Sequence, residues 1–162
     1  MKPESKKALD AIFQKHEAAR KLADHHAERA LSQKEETFLA RFYSVRASIL
    51  RPRMQEFGEY VKSRGYDYEI DEQDERVGGE PTNSGSIAIH FITNREAGRS
   101  IRECPTFIFS CESSHERVRL FESTVAPGGG GHSGTVGEVP LAELTPDFVE
   151  RQLLALAKHA FA

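Results

Sequence analysis

The stretch Tyr60-Val61-Lys62-Ser63-Arg64-Gly65-Tyr66-Asp67-Tyr68-Glu69-Ile70-Asp71 is where the apolar period of the chain changes. Before Gly65, apolar residues recur every three or four positions, as on one face of an α-helix. After it, Tyr66, Tyr68 and Ile70 alternate with Asp67, Glu69 and Asp71, as on a half-buried strand. Lys62, Arg64 and Gly65 between the two patterns are the signal of a helix C-terminus. A helical region followed by a sheet region, each kept to its own part of the chain, defines an α+β protein.

Toward the N-terminus, Leu9, Ile12, Phe13, Ala19, Leu22, Ala23, Ala27, Ala30 and Leu31 trace an amphipathic helix over about residues 4–31, Ala-rich after Ala19. Ser32-Gln33-Lys34-Glu35 then has the form of a capping box, which predicts a second helix carrying Phe38, Leu39, Phe42, Tyr43, Ile49, Leu50, Met54, Phe57, Tyr60 and Val61. The two would form a helical hairpin over 1–65. Pro52 falls inside the second pattern and removes the hydrogen bond to Ser48, so a kink is expected there.

Toward the C-terminus, polar Glu72–Gly85 reads as a long loop. Strands follow at Ser86–Thr93, Thr106–Cys111 and Arg117–Val125, with a short fifth at Thr135–Val139, giving an antiparallel meander of four or five strands within 66–140. Thr145-Pro146-Asp147 opens a closing helix over 145–161, as N-cap, first helical residue and acidic first turn. Its apolar stripe of Phe148, Val149, Leu153, Leu156, Ala160 and Phe161 should pack on the sheet. The whole 1–162 reads as one domain.

Composition bounds the function classes. A chain of 162 residues with 38% hydrophobic and 29% charged residues suits a compact core with long solvated helices. No apolar run approaches the roughly 18 residues of a membrane span. The opening Met1-Lys2-Pro3-Glu4 leads straight into a polar helix without a signal-peptide core, so the expected location is cytoplasmic. Cys104 and Cys111 make no disulfide framework and are expected to be reduced. Residues 1–64 carry 14 Lys/Arg against 9 Asp/Glu, and residues 65–162 carry 8 against 16. Arg41, Arg46, Arg51 and Arg53 are the residues a nucleic acid would use, but they fall on different sides of the helix, and interspersed acids dilute any phosphate-binding stripe. The split fits docking of helices on an acidic half, or self-association, better than nucleic-acid binding.

Candidate chemistry is sparse. Pro127-Gly128-Gly129-Gly130-Gly131-His132-Ser133-Gly134 is Gly-rich, yet it lies between two strands and lacks the Lys-Ser/Thr pair of a phosphate loop, so a hairpin tip is expected. None of the seven histidines has helical zinc spacing, and no metal or cofactor is expected. No serine sits in a Gly-x-Ser-x-Gly elbow. Cys111 shares the core face with Phe107 and Phe109, which makes it inert. His90 has the most suggestive address, mid-strand on a mixed face with Asp67, Glu69, Asp71, Arg117 and Arg119 nearby.

The leading expectation is a small protein-interaction or regulatory protein without catalytic activity, self-associating through its N-terminal helices, with a further protein partner unidentified. The alternative is a ligand-binding protein or enzyme using the sheet face around His90, Arg117 and Arg119, with Gly129, Gly130 and His132 in a lid.

Overall fold

The computed structural model describes residues 3–74, 85–93, 104–124 and 131–161. Helix α1 (Pro3–Val45) leads through a π-helical turn (Arg46–Leu50) into α2 (Arg51–Ser63). A sheet follows, of β1 (Asp67–Gln73), β2 (Ser86–Ile92), β3 (Thr106–Glu112), β4 (Arg117–Ser123) and β5 (Ser133–Val139). Helix α3 (Pro146–Ala160) closes the chain. Two compact units divide it, Met1–Glu36 and Thr37–Ala162. No helix among the described residues is long and apolar enough to cross a membrane.

Two details of the helical region differ from the sequence expectation. The backbone stays helical through Ser32–Glu35, so the capping-box pattern starts no new helix and the predicted hairpin turn is replaced by one helix, Pro3–Val45. The reason is that no Gly or Pro lies between Ala27 and Arg46. A Ser in a helix interior costs only about 0.5 kcal/mol relative to Ala, whereas ending and restarting the helix strands backbone donors and acceptors at both new ends. Near Pro52, in place of a simple kink, the helix widens by one residue. Arg51 N–H bonds to the Arg46 carbonyl, five residues back, and the Ser48 hydroxyl donates to the Ser44 carbonyl at 2.8 Å. Pro52 then sits in the first turn of α2, where its missing N–H matters least.

The sheet is a five-stranded antiparallel meander in the order β1-β2-β3-β4-β5. Alternation puts Ile87, Ile89, Phe91, Phe107, Phe109, Cys111, Val118 and Leu120 on one face, and these are buried together with Phe42, Leu50, Met54, Val149, Leu153 and Leu156. Helix α2 runs over β1 and β2, and α3 packs on β3 and against α2. The Thr145 hydroxyl accepts from Phe148 N–H at 3.2 Å, which makes it the cap of α3. Between β4 and β5 the register shifts at Leu120/Phe121, where Leu120 pairs with Gly137 and Phe121 with Thr135, leaving Val136 as the extra residue of a bulge.

Candidate functional site

His90 lies on β2, the second strand of the sheet, across from Glu69 on β1 and Thr106 on β3, on the face opposite the main core. It is only 8% exposed. Its Nδ1 stands 2.7 Å from Thr106 Oγ1, and Thr106 Oγ1 donates its single proton to the Cys104 carbonyl at 2.8 Å. The hydroxyl therefore accepts from His90, and the imidazole carries its proton on Nδ1. Burial pushes its pKa below the ordinary 6.5, against the opposing pull of Asp71 and then Glu69. The result is a neutral, packed imidazole whose Nδ1 proton is already committed.

The other residues predicted around His90 do not converge on it. Arg119 is held between Glu112 at 3.1 Å and Glu138 at 3.6 Å. Arg117 stands exposed at the start of β4, across from Glu112. His132 is on the other side of the sheet: its Nε2 meets the Glu122 carboxylate at 2.8 Å, and its ring meets His159 of α3 edge-on at 5.8 Å. Gly129 and Gly130 lie outside the described residues.

Glu122 was not singled out by sequence reasoning. It occupies a core-face position of β4, with its side chain 9% exposed, and its carboxylate is hydrogen-bonded by the half-exposed His132. The signal was available, because β4 alternation places Glu122 on the same face as Val118 and Leu120, and only a nearby partner makes a buried carboxylate tolerable. Around this pair, Thr124 N–H donates to the His132 carbonyl at 2.8 Å, and His132 N–H donates to Thr124 Oγ1 at 3.0 Å. These bonds close the end of the β4–β5 ladder. No group of three or more His, Cys, Asp or Glu side chains among the described residues is arranged to hold a metal ion. Cys111 is fully buried and Cys104 partly so, and neither is in a disulfide.

Three of the four arginines that a nucleic acid would have used are engaged within the fold. Arg46 bonds Asp74, Arg51 pairs with Glu72 at 2.8 Å, and Arg53 pairs with Glu56 at 2.8 Å.

Two surfaces among the described residues bear on function. A groove of about 580 Å³ runs between α2 and α3, lined by apolar Phe57, Tyr60 and Leu154 and by Glu56, Glu59 and Glu150. Arg53 and Ser63 complete its lining. The second surface is the N-terminal unit. Every residue of Pro3–Ala30 and Gln33–Glu36 is exposed, including Leu9 at 42%, Ile12 at 65%, Phe13 at 58% and Leu22 at 59%. Leu9, Ile12 and Phe13 fall on one face within a single turn, and Ala19, Ala23, Ala27 and Ala30 continue that face. No family model matches this chain, and no curated protein or solved structure is significantly similar to it.

Proposed function

We propose that this chain is a cytoplasmic protein-interaction or regulatory protein without catalytic activity, and that it self-associates through the helix of residues 3–36. The observation that carries this reading is the exposed helix of residues 3–30 and 33–36, with Leu9, Ile12 and Phe13 on one face. An isolated helix gains little stability in water beyond its own hydrogen bonds, and helices in proteins are held chiefly by burial of an apolar face. Each of Leu9, Ile12 and Phe13 stands to contribute about 1.5–3 kcal/mol on full burial. A second copy is the partner this face fits, because Pro3–Glu36 contains seven Lys/Arg and seven Asp/Glu, so two copies meet without net repulsion.

Support for the alternative, a ligand site on the sheet, is weaker. His90 is tied to Thr106, Arg119 is paired twice, and His132 faces the helices. The test of the proposal is the double variant Ile12→Glu/Phe13→Glu in the full chain, compared with wild type by light scattering and far-ultraviolet circular dichroism. The expected outcome is a halved mass and reduced helicity with an unchanged cooperative unfolding transition. Equal masses for the two proteins would remove the proposal.

A further inference from the structure

We propose that two copies pair their N-terminal helices antiparallel, the basic first half of each lying along the acidic second half of the other. This rests on the self-association proposed above and adds the direction of pairing. Two independent features of the exposed helix select that direction. The first is charge. Pro3–Lys21 carries Lys6, Lys7, Lys15, Arg20 and Lys21 against Glu4, Asp10 and Glu17, whereas Leu22–Glu36 carries Asp24, Glu28, Glu35 and Glu36 against Arg29 and Lys34. Parallel pairing sets like against like along the whole length. Antiparallel pairing sets each half against its opposite and also opposes the two helix dipoles.

The second feature is side-chain size. The apolar face is bulky at Leu9, Ile12 and Phe13 and small at Ala19, Ala23, Ala27 and Ala30, all of them exposed. In a parallel pair the bulky ends coincide, holding the helices apart at one end and leaving a gap along the alanines at the other. With the midpoint near Ala19, antiparallel pairing puts Leu9, Ile12 and Phe13 of one copy over Ala23, Ala27 and Ala30 of the other. The knobs of each helix then fall into the shallow surface of its partner and the seam keeps an even thickness.

The experiment uses the full-length chain with Cys104→Ser, leaving Cys111 in place because it is fully buried. A single spin label is attached in turn at Lys6→Cys, Glu17→Cys or Glu35→Cys, all exposed positions, and intermolecular distances are read by pulsed dipolar spectroscopy. With a rise of 1.5 Å per residue and a midpoint near Ala19, antiparallel pairing separates the two Lys6 labels by about 40 Å along the axis, the two Glu35 labels by about 50 Å, and the two Glu17 labels by only about 6 Å. That long–short–long pattern is the expected result. Three short distances, all within about 20 Å plus label length, would mean parallel pairing and would overturn this inference while leaving self-association standing. Absence of intermolecular coupling at all three positions would overturn both.

Discussion

Arg46 Nη2 donates to Asp74 Oδ1 at 2.6 Å, across 28 residues of sequence, and the same guanidinium reaches the carbonyls of Gln73 at 3.1 Å and Ser86 at 3.3 Å. One side chain from the π-helical turn thus fastens the end of β1 to the start of β2, with its face over the Tyr43 ring at 4.5 Å. The fork geometry of arginine makes this possible, since it aims several donors in one plane while its flat face stacks on an aromatic.

Arg46→Ala is therefore expected to cost about 1.5–3 kcal/mol in urea unfolding, the range for lost hydrogen bonds from a charged donor. Arg46→Lys should recover only part of it, because an ammonium cannot stack and reach all three acceptors. A loss below about 0.5 kcal/mol for the alanine variant, the level of an ordinary surface change, would show that the clamp is incidental.

Gly58 of α2 lies directly beneath the ring of Tyr68, and a methyl group added there would run into Cγ, Cδ2 and Cε2. At an open helical position Gly→Ala gains about 1 kcal/mol. Here the sign should reverse, with a loss of about 1–3 kcal/mol from overpacking. The companion measurement is Gly58→Ala in a Tyr68→Ala background, where the substitution should no longer destabilise.

The Tyr68 hydroxyl donates to Glu59 at 2.7 Å. This hydrogen bond, with burial and the charges of Glu59 and Asp67, pushes the phenol up to about 12 from 10.0. Because the folded state favours the protonated phenol, its contribution to stability is fully present below pH 10 and is lost as the pH rises toward 12. Glu59→Gln should bring the tyrosinate absorbance step of this residue back toward 10, with Tyr68→Phe identifying which step belongs to it.

For His90 the sign is opposite. Burial lowers its pKa beneath 6.5, so the folded state favours the neutral imidazole. Its contribution is complete above pH 6.5 and is lost as the pH falls through the lower folded value. His90→Gln should flatten the acid limb of the stability profile, and NMR should find the His90 ring still neutral at pH 6.5. A ring that titrates at or above 6.5 would contradict this account.

The sheet and the closing helix were legible in the sequence because period-two alternation and a Thr-Pro-Asp cap are local signals. Strand β2 begins at Ser86 and α3 is capped by Thr145, both as predicted. The helical region was less legible. Ser32-Gln33-Lys34-Glu35 satisfies both a cap and a helix interior, and with no breaker nearby, propagation wins. The π-helical turn could not be read either, since Pro52 states only that a hydrogen bond is missing and not how the backbone absorbs the loss. Of the candidate site, His90 was placed on the correct face of its strand. Its separation from His132 depends on the hairpin bringing His132 to Glu122 on the helix-covered side, a pairing that alternation alone does not give.

The most direct test of the account is the mass of the wild-type chain in solution, measured by sedimentation equilibrium across a range of concentrations. The account predicts a species of twice 18.2 kDa that dissociates on dilution. A single species of 18.2 kDa up to high micromolar concentration would contradict it.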